Sequence, residues 1–476
     1  MARRSRFLSL IFAIAVLGAA CGSDDGDGTA APDDNDVIDS GDDGNGGETD
    51  GETTDGDAAA GDVSGDLFAF GFGYETGDQI AQVRVDRFRE LYPDVNLEFS
   101  ESGFDEQGFL SALASDDPPD LVNIPRNEIG TYIARGVLAP LDECIAQHDV
   151  DTSVYYDGAI NQVTVDGTVY AFPEFFNSRV WILNNAAFED AGLDPETVDL
   201  SDWEALAEVN EQLTRNEGGR LERIGLDPKL PEFLPLWAWA NGAPMISEDG
   251  LEANLDDPGV IEALELTVPF HEPAGGRTTF LDFRDTWDFF GGDNQYAADQ
   301  LGGMPMEQWY LNVLAGSSPD AEVTVRPFEG PDGQPITWAD GNSWAVTASA
   351  QNPEAACTFA KTMTEADTWI EAAQARADTR AEEGAPNTGV YTGNREADDV
   401  IFSEIVDLSD MPSFEQAVQT VVENQENAFG LPPSPASAAF KAAWEDAVNA
   451  VLTGADPASA MATAQQEAQA AIDAAR

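Results

Sequence analysis

From residue 67 onward, short apolar runs alternate with segments of helical period, and this alternation constrains the fold more than any other feature. Residues 67–72 are a brief apolar run. Residues 78–92 carry Ile80, Val83, Arg87/Phe88 and Leu91 at helical spacing and stop at Pro93. Residues 95–99 alternate like a strand, 109–114 read as a short helix, and 121–124 follow Pro118-Pro119 as another strand. Repeated strand–helix units predict an α/β fold, a mainly parallel sheet flanked by helices. Ligands of such sheets meet the loops at the carboxyl ends of strands. Here those loops are Gly73-Tyr74-Glu75 and Asn123-Ile124-Pro125-Arg126. Further on, Ser201-Asp202-Trp203-Glu204 reads as a capping box, and Asp257-Pro258 and Asn352-Pro353 each place a cap before an N1 proline. At 476 residues the chain is long enough for two globular units with their own cores.

Charge narrows the partners. With 22 Lys+Arg against 89 Asp+Glu, the net charge is −67. Nucleic acids and anionic membrane surfaces need clustered cations, so neither is expected as a partner. An anionic ligand would need a local arginine to override the field. The N-terminus reads as an export signal: Arg3, Arg4 and Arg6, an apolar run over 7–16, then Leu17-Gly18-Ala19-Ala20-Cys21. The apolar run is too short to span a bilayer. Cys21 resembles the lipid-modified cysteine of bacterial lipoproteins, although Gly18 stands where that motif prefers a branched residue. Residues 22–66 are mostly Asp, Gly, Thr, Ala and Glu, which predicts a disordered acidic tether; no window there fits a calcium-binding loop. Cys144 and Cys357 either pair or remain two buried thiols. His148 and His271 are too isolated to suggest metal binding or catalysis, and no cofactor or metal is expected.

Five short motifs then occur in a familiar order. They are Phe88-Arg89-Glu90-Leu91-Tyr92-Pro93-Asp94-Val95, Leu113-Ala114-Ser115-Asp116-Asp117-Pro118-Pro119-Asp120-Leu121-Val122, Asp166-Gly167-Thr168-Val169-Tyr170-Ala171-Phe172-Pro173, Trp181-Ile182-Leu183-Asn184-Asn185-Ala186-Ala187-Phe188, and Asn352-Pro353-Glu354-Ala355-Ala356. Together they resemble the family 1 extracellular solute-binding proteins of ABC importers, with Asp116, Thr168 and Leu183 replacing the usual Gly, Lys and Tyr. The resemblance implies a two-lobed, maltose-binding-protein-like (type II) fold that holds its ligand by hinge closure. It implies a first lobe from 67–173, a second from 174–336, a return to the first over 337–388, and a helical C-terminal part of the second over 389–476. Crossings between lobes would lie near 172–174, 337–342 and 386–391.

The resemblance places Thr337-Trp338-Ala339-Asp340-Gly341-Asn342-Ser343-Trp344 at the second crossing. If extended, that stretch puts Trp338, Asp340, Asn342 and Trp344 on one face and small residues on the other. A sugar offers apolar C–H faces and a ring of hydroxyls, so a matching site needs aromatic platforms beside planar polar groups. The candidates are Tyr74, Glu75, Asn123, Arg126, Glu174, Phe176, Trp237, Trp239, Trp309, Trp338, Asp340 and Asn342, with Asn177 and Tyr310 nearby; Trp237 and Trp239 are taken to alternate on a strand. Trp203, Trp369 and Trp444 lie on helical stripes and read as core, and Trp344 can equally belong to the strand's buried part. The expected activity is that of a lipid-anchored, monomeric substrate-binding protein passing a neutral sugar to an ABC permease at the outer face of the membrane. A polyamine on the same fold is the alternative. An exported glycosidase is disfavoured, because the chain lacks G-x-S-x-G, H-E-x-x-H and P-loop signatures.

Overall fold

The computed structural model describes residues 63–74 and 78–476, so the leader, Cys21, the tether through residue 62 and Glu75 lie outside the described residues. Helices start where the sequence offers a side-chain acceptor. Asp78 accepts from the Ala81 amide ahead of helix Gln79–Leu91, and Asp105 from that of Gly108 ahead of Glu106–Leu113. Asp257 and Asn352 cap helices Pro258–Thr267 and Pro353–Thr362, each with proline at its start. The expected capping box differs: Asp202, not Ser201, caps helix Trp203–Leu213, its carboxylate accepting from Ala205.

These helices cover two sheets. The first has five strands in the order Val95–Phe99, Gly65–Phe70, Leu121–Pro125, Asn342–Val346, Ala171–Pro173. The second has seven, in the order Ala428–Phe429, Pro335–Trp338, Val323–Glu329, Arg179–Asn184, Leu301–Glu307, Arg220–Leu226, Arg215–Glu217. Both are mixed rather than mainly parallel. In the first, only the Gly65–Phe70 pairings with Val95–Phe99 and Leu121–Pro125 are parallel. The reason is the chain's path: strand Asn342–Val346 re-enters the first sheet from the second and so runs against both neighbours. In the second sheet, Arg179–Asn184 enters from the first and is antiparallel to both its neighbours.

Each sheet is packed on both faces, which fixes two lobes. Trp181, Trp203, Trp237, Phe328 and Trp444 fill one side of the second sheet, and Val180, Ile182, Met304, Leu311 and Phe414 the other. The first sheet is covered by Phe88, Trp344, Phe359 and Met363 on one side and by Phe109, Ile124 and Tyr132 on the other. Cys144 and Cys357 are joined by a disulfide with Cα atoms 5.9 Å apart, tying helix Asp142–His148 to helix Pro353–Thr362 in the first lobe.

Candidate ligand-binding site

Three segments cross side by side between the lobes. The Asn177 and Asp340 backbones exchange hydrogen bonds of 2.9 and 3.0 Å, the Glu174 amide donates to Asn342 O at 2.9 Å, and the Phe176 amide donates to Tyr391 O at 3.2 Å. The first and third crossings meet again where Phe175 pairs with Thr392. Gly341 makes this ribbon fit: its φ is +137°, and a Cβ there would lie 2.3 Å from Phe175 O.

Two arginines, one from each lobe, staple the ribbon. Arg126 donates to Phe175 O at 2.6 Å, to Asn342 O at 2.8 Å and to Asp340 O, and its Nε reaches Gln162 Oε1 at 2.9 Å. Burial pushes its guanidinium down to about 10, with Asp340 and then Glu174 opposing that fall. Arg179 donates to Asn177 O at 3.0 Å, Trp338 O at 3.1 Å, Asp340 Oδ2 at 2.6 Å and Glu307 Oε1 at 3.3 Å. Asp340 therefore takes both arginines, one on its carbonyl and one on its carboxylate. Beside it runs a buried chain: Arg84 Nη1 to Glu174 Oε1 at 2.7 Å, Asn123 Nδ2 to Glu174 Oε2 at 2.6 Å, and Asn342 Nδ2 to Asn123 Oδ1 at 2.8 Å. Arg84 also lies over the Trp369 ring at 4.0 Å.

Of the residues expected at the site, the structure brings Asn123, Arg126, Glu174, Asp340 and Asn342 into this one network. Asn123, Arg126 and Glu174 are buried in it, whereas Asp340, Asn342, Asn177 and Glu307 keep part of their surface open. Arg126 is fully enclosed, its donors taken by the ribbon backbone and by Gln162 rather than turned to a ligand. Phe176 is likewise enclosed, its ring 4.7 Å from that of Tyr156. Trp237 and Trp239 lie on helix Leu234–Ala240 rather than on a strand, so they part company. Trp237 is buried among Trp181, Trp203 and Phe328, with Nε1 donating to Pro228 O at 2.9 Å, and cannot offer a face. Trp239 is half-buried, its ring stacked on Phe429 at 4.8 Å. The stretch around Gly341 is not one continuous strand. Strand Pro335–Trp338 ends in the second sheet and Asn342–Val346 begins in the first, so the two indoles separate into different lobes. Trp338 retains only 6% exposure, under the Arg179 guanidinium at 4.3 Å, and Trp344 is wholly inside the first lobe against Phe72 and Phe359. Tyr74 is half-buried at the end of Gly65–Phe70, its ring 4.9 Å from Phe99. Trp309, half-buried, and Tyr310, buried, follow strand Leu301–Glu307 directly.

Reasoning from sequence passed over Arg84, Arg179, Glu307 and Gln308. Arg84 had a legible signal, since it sits four residues from both Ile80 and Phe88 on the buried stripe of its helix. Arg179 and Gln308 had none, because most of their partners, the Asp340 and Glu307 carboxylates and the Trp338 carbonyl for Arg179 and the Ser178 amide and Phe176 carbonyl for Gln308, lie more than a hundred residues away.

Helix Arg395–Val400, just after the third crossing, anchors it with a titratable group. Asp398 is buried, accepting from the Thr392 amide at 2.9 Å, Thr392 Oγ1 at 2.8 Å, Gln425 Nε2 at 3.0 Å and Tyr156 Oη at 3.3 Å. Burial pushes its carboxyl up to about 7, outweighing these donors. The folded state therefore holds this proton more tightly than the unfolded chain, whose aspartates titrate near 4. The stabilisation is present below about pH 4 and is lost as pH rises toward about 7, by at most about 1.4 kcal/mol per unit. Melting curves of wild type and Asp398→Asn across this window check it. Wild type should lose stability relative to the variant as pH rises, and parallel profiles would exclude this carboxyl.

Residues 84–400, two-thirds of the chain, match the bacterial extracellular solute-binding proteins. Among curated proteins, the arabinooligosaccharide-binding protein of Halalkalibacterium halodurans is 24% identical over 258 residues, 51% of this chain and 54% of that one. The diacetylchitobiose-binding protein DasA of Streptomyces coelicolor is 26% identical over 211 residues, 42% and 45% of the two chains. The chain thus spans about half the length of the curated relatives it matches. Among solved structures, CpMnBP1 with mannotriose bound superposes with a TM-score of 0.67 at 23% identity, covering 85% of this chain and 99% of that one, which bears on the fold alone. Two helix-covered sheets joined by a crossing ribbon are the two-lobed type II binding-protein fold, and this chain belongs to the bacterial extracellular solute-binding proteins.

Proposed function

We propose that this protein captures a neutral sugar or oligosaccharide between its lobes and delivers it to an ABC permease, held at the outer membrane face by lipid on Cys21. The observation that carries the reading is the charge pairing on the crossing ribbon. Arg84, Arg126 and Arg179 are all committed to protein acceptors, which leaves an anionic solute without a counter-ion there. The part-open carboxylates of Asp340 and Glu307 are both engaged by Arg179, so neither stands as a lone negative charge for a polyamine. What remains is a set of hydrogen-bonding amides and carboxylates, with half-buried Trp309 two residues after Glu307 in the chain, and a polyol calls for that pairing of polar groups and aromatic faces. The relatives named for arabinooligosaccharide and diacetylchitobiose support the same class.

Titration calorimetry of the purified chain is the test, using arabinooligosaccharides, diacetylchitobiose, mannotriose, trehalose and spermidine. Saturable heat with at least one sugar and none with spermidine is expected. Silence with every sugar, or tighter binding of spermidine, overturns the assignment. Mass spectrometry of the exported protein reads the lipid on Cys21 in the same preparation.

A further inference from the structure

We propose that Asp398 is a proton-operated latch joining the third crossing to both lobes, so that capture of a ligand takes up a proton. Its two oxygens have separate duties. Oδ1 accepts from the amide and the hydroxyl of Thr392, on the crossing itself, at 2.9 and 2.8 Å. Oδ2 accepts from Tyr156 Oη at 3.3 Å and from Gln425 Nε2 at 3.0 Å. Tyr156 caps helix Asp157–Ile160 and follows Tyr155, which lies in the first-lobe core. Gln425 follows helix Pro412–Asn424, whose Phe414, Ala417 and Val421 lie in the second-lobe core. One buried carboxyl therefore sits where the crossing and both lobes meet.

The surroundings fit both protonation states. Gln425 Oε1 is buried and takes no hydrogen bond among the described residues. Turning that amide over offers Oε1 to a proton on Oδ2, and turning it back offers Nε2 to the carboxylate. The other ionisable groups nearby are already committed. Burial pushes up the hydroxyls of Tyr156 and, on the crossing, of Tyr391, so both keep their protons; Asp398, Glu426 and Asp399 act on Tyr156 in the same direction. Arg395 holds Glu426 at 2.7 Å and Asp157 at 3.2 Å, and lies over the Tyr156 ring at 4.9 Å. On the first crossing, Glu174 is taken by Arg84. Helix Ala366–Glu383 and the turn Ile401–Ile405 pack there through Trp369, Ala372, Ala373 and Ile401, none of which ionises. Charging a carboxyl costs more the less water reaches it. Parting the lobes draws Tyr156 and Gln425 away from each other and lets water in between them. Ionised Asp398 therefore favours the open arrangement and the neutral acid the closed one. A ligand selects the closed arrangement, so binding it tightens the hold on the proton, and by linkage its affinity falls as pH rises. This holds whichever solute fills the cleft.

Two measurements test the latch on the full chain, with wild type, Asp398→Asn and Tyr156→Phe. The first is small-angle scattering without ligand. Between about pH 5.5 and about pH 8.5 the wild-type radius of gyration should grow, whereas that of Asp398→Asn should stay constant. The second is calorimetry with mannotriose and diacetylchitobiose at about pH 7, in phosphate and in Tris, whose different ionisation heats count protons. For a sugar that binds, wild type should take up part of a proton and lose roughly 5- to 10-fold in affinity across the same window, and Asp398→Asn should do neither. Tyr156→Phe removes one donor from the carboxylate, so both transitions should move to higher pH; this shift decides the matter should Asp398→Asn not fold. A wild-type radius that ignores pH, an equal change in Asp398→Asn, or binding without proton uptake overturns the latch. Silence with both sugars beside a radius that responds to pH in wild type alone supports the latch and counts against the sugar reading instead.

Discussion

Glu174→Ala is expected to lower the unfolding free energy by about 3–5 kcal/mol, the cost of leaving a buried charge without its partner. Glu174 and Arg84 side chains are each 1% exposed and meet at 2.7 Å. Without the carboxylate, the buried guanidinium keeps the carbonyls of Ile80 and Met363 and the faces of Trp369, Phe175 and Phe72, none of which carries a counter-charge. Asn123 Nδ2 is orphaned by the same change, which loosens the bond from Asn342 behind it. Replacing both partners by apolar residues, Arg84→Met with Glu174→Leu, should recover most of the loss, because removing two charges together avoids the unpaired state. Urea denaturation of the two single variants and the double one decides this. A loss below about 1 kcal/mol for Glu174→Ala would mean the pair contributes little.

Removing the Cys144–Cys357 bridge is the second large effect. It closes a loop with a sequence separation of 213, and long loops restrict the unfolded chain most, so a loss of about 2–5 kcal/mol is expected for Cys144→Ala/Cys357→Ala. The bridge joins two helices whose cysteines both lie in the first-lobe core, so their truncation adds a smaller packing cost. Denaturant midpoints with and without reductant separate the two costs. Wild type should fall on reduction toward the double variant, while the variant should not respond. Equal midpoints for oxidised and reduced wild type, with both thiols titratable after reduction, would show that the cross-link adds no stability.

The general architecture was legible because it rests on local patterns. The helical period over 78–92, the caps at Asp257 and Asn352 and the run of five family motifs depend only on near neighbours in the chain. Strand direction was not legible: residues 342–346 look the same whether the sheet they join runs with or against them, and the crossing from the other lobe decided it. Part of the polar network on the ribbon was legible. Asn123, Arg126, Glu174, Asp340 and Asn342 do converge, yet most of that convergence goes to holding the ribbon together. Trp237 and Trp239 looked like strand alternation because a short apolar run has no period long enough to distinguish two from 3.6. Gly341 misled in another way, since its backbone angle breaks an alternation that its letters preserve.

Taken alone, the sequence determined an α/β chain, because caps and periodicity are properties of adjacent residues, and its five short motifs carried the resemblance to the solute-binding family. Only the tertiary structure decided which polar side chains are consumed internally and which stay open to a ligand. That division depends on carbonyls and carboxylates brought in from distant segments, as when Arg179 meets Asp340 and Arg126 meets Phe175 O. A side chain's chemistry is written in its own letter, but its availability is set by what packs against it.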